Sequence, residues 1–273
     1  MKIIKQKPVT NGSRHLLKLE KSSLLKNDKV FNNRTSKKYC SGRSPITGHI
    51  TAWHRGNGHK KLYRKINLSN ENKFSVVLGI SYDPNRSAFI SNNFDLENLK
   101  FFNTLCTSYI FPGSLIKQNC TLKNVRYNLK NQNMLGYRTQ VQNIPVGTII
   151  NNISNTDLTD GKFARSAGAI AQLIRSDKKK ALVKLPSNDV IEISKKSCAT
   201  IGIVSNDKHN LINYGKAGRK RNLNRRPIVR GIAMNPVDHP HGGRTNGGRP
   251  SVTPWGLPTK CKFRLKRRKM KRL

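Results

Sequence analysis

Apolar residues in this chain come in short runs rather than long stripes, and where they alternate they do so with period two. Val183, Leu185, Ile191 and Ile193 each have polar neighbours, the signature of a half-buried strand. The same pattern predicts strands at Phe74–Ile80, Ser87–Ile90 and Tyr109–Phe111, separated by turn chemistry at Asp83-Pro84-Asn85 and Pro112-Gly113. Val146–Ile153 follows Pro145 as another strand. Ile170–Arg175 and Ala181–Leu185 flank Ser176-Asp177-Lys178-Lys179-Lys180 and read as a hairpin. Val190–Ile193 follows the turn at Pro186–Asp189, and Ala199–Val204 closes the set. One short strand is expected near His15–Leu19. Asn92–Thr107 fits neither helical nor strand period and reads as a loop or poorly defined edge. Short strands punctuated in this way predict an all-β fold of small barrels or sandwiches.

The runs group into two β regions, 49–125 and 126–205, between a basic arm at 1–48 and a segment at 206–273 dominated by Gly, Pro, Arg, Asn and His. The apolar fraction of 35% can fill small cores, not one large one. The final segment has too little apolar surface to offset its own backbone entropy, so a partner is expected to order it. Its last 13 residues hold eight Lys or Arg and no acid.

Charge changes the picture most. The 53 Lys and Arg against 13 Asp and Glu leave a net charge of +40 on 273 residues. Self-repulsion on that scale calls for a polyanion, and nucleic acid, whose phosphates release counterions to Lys and Arg, is the first candidate. A membrane span is not expected, because no apolar run approaches the roughly 20 residues required. The first residues, Met1–Lys21, are basic and lack the apolar stretch of a secretory signal, and Pro8 and Gly12 interrupt any amphipathic helix. Cys40, Cys106, Cys120, Cys198 and Cys261 form no C-x-x-C pair, which argues against a zinc ribbon. Their odd number and scatter argue against a disulfide framework, so they are expected to be small buried or incidental thiols.

Three motifs carry candidate chemistry. In the first, His54, Arg55, Gly56, Asn57, Gly58, His59, Lys60 and Lys61 precede Tyr63 and Arg64. Its glycines permit close backbone approach to phosphate, and Trp53 and Tyr63 offer stacking faces. The second, Gly215–Gly231, contains Lys216, Arg219, Lys220, Arg221, Arg225, Arg226 and Arg230 with no acid. Arg there would grip phosphate bidentately, with Gly and Pro keeping the segment extended. The third runs from Met234 to Arg244 and includes Asn235, Asp238, His239 and His241. It can be read as a metal site, a general acid–base pair or an extended RNA-inserted loop. The first reading lacks further ligands nearby, and the second lacks apolar sequence to build a pocket. The third is favoured by the two prolines and two glycines. No phosphate-binding P-loop, nucleophile elbow or H-E-x-x-H motif competes.

Four stretches resemble one known family, the universal large-subunit ribosomal protein L two. They are SGRSPITGHITAWHRGNGHKKLYR at Ser41–Arg64, YDPNRSAFI at Tyr82–Ile90, NIPVGTIINNI at Asn143–Ile153 continuing into ARSAGAIAQLI at Ala164–Ile174, and the run from Ala199 to Lys260 that includes RPIVRGIAMNPVDHPHGG and TPWGLPTK. The resemblance covers about residues 5–268, and its last motif is the most specific. It implies an OB-type barrel at 49–125, an SH3-like barrel at 126–205 and a basic extension at 206–273 that penetrates RNA. It implies a structural protein that binds large-subunit rRNA and supports subunit association, tRNA binding and a peptidyl-transferase centre whose catalyst is RNA. To the basic residues of the first two motifs and to Asn235, His239, His241 and Arg244 it adds Arg86, Arg165, Trp255 and Lys260 as rRNA contacts. It places Asp238, His239 and His241 near the peptidyl-transferase centre.

The resemblance implies further partners: other large-subunit proteins, the small subunit at the intersubunit face and, indirectly, tRNA. It calls for no cofactor and no protein-held metal, leaving open structural Mg2+ that bridges to rRNA. The chain departs from the family pattern at Asn57, which replaces a glycine, and at Trp53, where Arg is usual. It departs again at Arg244-Thr245, where a further glycine and a Glu are common. Phe94–Cys106 has little family likeness. The 30 Asn and abundant Lys resemble organellar drift and point to a mitochondrial ribosome in the matrix, with plastid or bacterial cytoplasm as alternatives. The competing readings of function are an enzyme using Asp238, His239 and His241, and a free RNA-binding regulator built on the same barrels.

Overall fold

The computed structural model describes residues 2–21, 24, 34–37, 42–56, 58–68, 73–119, 134–155, 160–177, 179–243 and 250–259. The chain falls into two compact units, one formed by Met1–Tyr39 with His59–Arg219 and the other by Cys40–Gly58 with Lys220–Leu273.

The first unit is all-β, as the pattern predicts. Its strands are β1 (Ile3–Lys5), β2 (Leu17–Leu19), β3 (Arg34–Lys37), β4 (Leu62–Arg64), β5 (Lys73–Ser81), β6 (Ile90–Asp95), β7 (Phe101–Leu105) and β8 (Leu115–Asn119). They continue as β9 (Arg138–Gln140), β10 (Ile149–Asn151), β11 (Ile153–Ser154), β12 (Gly161–Phe163), β13 (Ala171–Ser176), β14 (Lys180–Lys184), β15 (Val190–Ser194) and β16 (Cys198–Ile201). Ten of them form one sheet in the order β15-β14-β13-β10-β16-β9-β8-β5-β6-β7. The parallel pair β8–β9 joins the two halves of that sheet, and every other pairing is antiparallel.

The two halves differ inside. The later module has an apolar core of Val141, Ile144, Ile150, Ile153, Leu173, Val183, Ile193 and Ile201 with small alanines between them. The earlier module has only small apolar clusters, one of Val77, Ile110 and Ile116 and another of Leu24, Phe89 and Cys106. Much of the rest of its interior is polar, and several of these groups pair with one another. Ser91 Oγ and Thr104 Oγ1 lie 2.7 Å apart, Asn93 donates to Thr104 Oγ1, and Asn92 donates to Ser81 Oγ.

That polar interior overturns the expectation for Asn92–Thr107. Instead of a loop it is the hairpin β6–β7, in register from Ile90 opposite Leu105 to Phe94 opposite Phe101, and the edge reading holds only for β7, which closes one side of the sheet. Hydropathy alternation fails there because buried Asn, Ser and Thr satisfy one another across strands. Of Ser87–Ile90 only Ile90 is in a strand, as the first residue of β6. Phe89 N–H donates to Ser205 Oγ, and the Ser87 carbonyl accepts from Asn206, so this backbone ties the two modules together before β6 begins. Tyr109–Phe111 is a turn, with Tyr109 at φ 65° and both aromatic rings exposed. The strand expected over Val146–Ile153 breaks at Asn152, φ 48°, into β10 and β11, which belong to different sheets. The hairpin β13–β14 and strands β15 and β16 form where expected.

Two buried groups show what this interior does to charge. Burial pushes the Cys106 thiol up to about 12, against a hydrogen bond with Ser205 that lowers it. The Arg138 guanidinium, buried and donating to the Asn152 carbonyl at 2.7 Å, is lowered to about 10 by desolvation while Asp160 opposes the shift. The expectation of incidental thiols needs one correction: Cys198 is fully buried and disulfide-bonded.

Candidate nucleic-acid interface

The second unit brings together basic segments that lie far apart in sequence. The first begins at a turn held by Gly42, whose carbonyl accepts from the backbone of Thr51 and Ala52. Arg55 then pairs with Arg225 in an antiparallel bridge, Gly56 N–H donates to the Asn224 carbonyl, and Arg226 N–H donates to the His54 carbonyl. His54, Arg55, Arg225 and Arg226 are all exposed on this join. The two basic motifs therefore present one surface with four cationic or imidazole side chains, although about 170 residues separate them in sequence.

The glycines explain the fit. A β-carbon on Gly56 would sit 2.8 Å from Arg226 Cγ, and one on Gly58 would overlap the Asn224 side-chain oxygen and lie 2.8 Å from the Arg221 carbonyl. Their small size is expected from the sequence to admit phosphate. In the structure the close approach is made by the chain's own second motif.

The second motif is not extended throughout, as the sequence suggested. Ala217–Asn222 forms one short helix, α1, and the chain turns at Asn224, φ 70°, before running extended through Arg230. Gly and Pro do not prevent this helix, because Arg, Lys and Ala favour it and the proline comes only at position 227. Of the seven basic residues, six are exposed and Arg219 is half-buried, and none pairs with a described acid.

The third motif is a closed turn rather than an extended loop. The Asn235 carbonyl accepts from Asp238 N–H and His239 N–H, and Gly243 N–H donates to the Met234 carbonyl. His239 is 8% exposed. Its Nδ1 accepts from His241 N–H at 3.0 Å, which places its proton on Nε2. A β-carbon on Gly231 would lie 2.6 Å from the His239 ring, so this glycine is the floor on which the imidazole packs. His241 Nε2 donates to the Pro250 carbonyl at 2.8 Å. Asp238 is exposed and engages neither imidazole. The arrangement shapes a loop, and it does not assemble an acid–base pair. Among the described residues, no three of His, Cys, Asp and Glu gather as a metal site would need.

Trp255 lies exposed in the second unit, and the other described contacts expected lie in the first unit, where the structure does not cluster them. His59, Lys60, Tyr63 and Arg64 lead into and along β4. Arg64 and Arg86 both face Asp83, which is fully buried: Arg86 Nε is 2.6 Å and Arg64 Nη1 3.8 Å from its oxygens. Asn85 caps the same carboxylate through its backbone N–H and also donates to the Leu62 carbonyl at 2.7 Å. Lys61 beside them is lowered by burial, with Asp83 opposing. Arg165 donates to the Gly161 carbonyl of β12. Lys216 and Arg219 lie beside the N-terminal strands. Lys216 packs on Gly12, while burial and then the charge of Arg219 lower Lys21, whose ammonium rests 3.7 Å over the Tyr82 ring. Asn57, Arg244 and Lys260 lie outside the described residues.

Asp83 and Gly231 are the organisers that sequence reasoning missed. The sequence signal for Asp83 existed. An Asp two residues before Asn and three before Arg, across a proline, forms an Asx turn that aims its carboxylate at both.

Comparison with known proteins puts a family to this arrangement. The family model described as Ribosomal Proteins L2, RNA binding N-terminal domain matches residues 30–103, and that described as Ribosomal Proteins L2, C-terminal domain matches 134–256. The chain is 44% identical over 276 residues to the large ribosomal subunit protein uL2m of Reclinomonas americana, covering 98% of this chain and 95% of that one. It is 42% identical to the uL2 of Orientia tsutsugamushi, covering 93% and 91%. It is 40% identical to that of Maricaulis maris, covering 93% and 89%. The all-β modules, the joined acid-free motifs and these matches together establish that the chain belongs to the ribosomal protein L2 family, structural constituents of the large ribosomal subunit rather than enzymes in their own right.

Proposed function

We propose that the chain binds large-subunit rRNA chiefly through the surface made by His54–Gly58 and Lys220–Arg230, and that the turn at Met234–Gly243 reaches the RNA of the peptidyl-transferase centre. The observation that carries this is the antiparallel join of Arg55 with Arg225, which sets two acid-free motifs side by side. Backbone phosphates are the ligand that a dense, exposed Arg and Lys surface with no acid in its sequence selects. In this reading Lys216, Arg219 and Arg165 add contacts from the first unit, with His59, Lys60 and Tyr63 on the approach to β4. Arg64 and Arg86 contribute from a carboxylate-braced position, and Asn235, Trp255, Arg244 and Lys260 extend the contact along the tail. His239 and His241 shape the turn that presents Asp238. Mg2+, if bound, bridges chain to phosphate rather than filling a protein site. Other large-subunit proteins, the small subunit and, indirectly, tRNA complete the partners. The mitochondrial uL2m relative and the Asn-rich composition support a mitochondrial ribosome.

The test is His239→Ala in ribosomes assembled with this chain. Loss of the ring empties the space against Gly231 and frees His241 N–H. The expected result is impaired subunit assembly or slowed peptide-bond formation, while rRNA binding by the isolated chain is retained. Normal assembly and translation would remove the loop from the proposal.

A further inference from the structure

The second unit contains both tryptophans of the chain, Trp53 and Trp255. They arrive from opposite ends of the sequence. Trp53 sits on the turn that Gly42 holds. Trp255 sits at the tip of a small hairpin closed by the Val252–Pro258 bridge, with Thr253 N–H donating to the Leu257 carbonyl at 2.7 Å and Gly256 in the left-handed region at φ 75°. Their ring centroids are 6.0 Å apart with the planes at 73°. An edge-on pair of this kind covers only part of each indole, and Trp53 and Trp255 remain 53% and 68% exposed. Two large apolar rings are thus held in solvent by two hydrogen-bonded turns, and His54 and Arg55 follow Trp53 directly.

We propose that Trp53 and Trp255 form a stacking site for one unpaired base of the large-subunit RNA, flanked by His54 and Arg55 at its phosphates. Duplex RNA presents no free base face, so the occupant is a single-stranded or flipped-out nucleotide. Sequence preference is weak, because every base offers a π-face. The edge-to-face angle leaves the face of one indole open, and a stacked base there would run against the edge of the other. The site rests on the rRNA-binding reading above and refines it. The basic surface supplies sequence-independent attraction, and the indole pair selects an unstacked nucleotide.

Since no other tryptophan contributes, intrinsic fluorescence reads this site alone. The full chain is titrated with three probes: full-length large-subunit rRNA, a single-stranded oligoadenylate, and an abasic oligomer with the same number of phosphates. Binding itself is followed separately by end-labelled RNA. The expected result is quenching of tryptophan emission by rRNA and by oligoadenylate and none by the abasic oligomer, which binds about 5- to 100-fold more weakly. Trp255→Ala is expected to bring the oligoadenylate affinity down to the abasic value, and Trp53→Phe to keep most of it.

Binding of labelled rRNA and oligoadenylate with unchanged tryptophan emission overturns the stacking site while leaving the basic surface intact, and assigns the pair to a protein neighbour. Equal affinity for base-bearing and abasic oligomers also overturns it, with no substitution involved. Failure of every RNA probe to bind would instead sink the rRNA-binding reading on which the site rests.

Discussion

Raising monovalent salt from 50 to 200 mM is expected to lower the affinity of the isolated chain for large-subunit rRNA by roughly 10³- to 10⁴-fold. The estimate takes the seven basic residues of Gly215–Gly231 alone as phosphate contacts, each releasing somewhat less than one counterion. They have no acid among them in sequence, and none pairs with a described acid in the structure. Their charge is therefore available to RNA rather than already neutralised. The double variant Arg225→Ala, Arg226→Ala should reduce the slope of log affinity against log salt by about 1.4 to 1.8. Filter binding over a salt series checks both. A flat dependence would mean that the +40 charge is spent on something other than RNA phosphate.

Asp83→Ala is expected to lower stability by about 2–4 kcal/mol, and the melting temperature by roughly 5–15 °C. The carboxylate is fully buried and is the counter-charge for Arg86 and Arg64, whose side chains are 19% and 14% exposed. Removing it leaves two mostly desolvated guanidinium groups without that counter-charge. Their partial exposure keeps the loss below that of a fully buried pair. The substitution also frees Asn85, whose side chain links this turn to the Leu62 carbonyl at the start of β4. Asp83→Asn retains an acceptor for Asn85 N–H and should cost less than Asp83→Ala. Thermal unfolding followed by circular dichroism separates the two variants. Equal stability of Asp83→Ala and the parent chain would show that the arginines are held by other groups.

The contrast between the two modules explains which parts of the fold could be read in advance. The later module packs aliphatic side chains at alternate positions, and its strands Ala171–Ser176, Lys180–Lys184 and Val190–Ser194 stand where alternation puts them. In the earlier module Asn92, Asn93 and Thr104 are buried and bonded to partners on other strands. Hydropathy cannot anticipate that, because a buried Asn with a partner and an exposed Asn without one look the same in sequence. Asn152 broke an expected strand for a local reason, its left-handed backbone.

The site divides in the same way. Charge and glycine single out two motifs that the structure sets side by side. Their juxtaposition was invisible, since Gly56 and Gly58 meet Asn224 and Arg226 only after folding. The motif most open to an enzymatic reading, Asp238–His241, lost it to geometry. One imidazole accepts from backbone and the other donates to backbone, so both are occupied in holding a turn.

Sedimentation tests the central claim most directly. Extract from cells that make the chain is separated on a density gradient, and the particles are then washed with moderate salt and separated again. The chain is expected to travel with large-subunit rRNA and to remain after the wash, because many simultaneous contacts hold it in the assembled particle even where each alone is salt-sensitive. Recovery of the chain as free protein at the top of the gradient, or its release by a wash that leaves the other large-subunit proteins in place, would contradict a structural role in the large subunit.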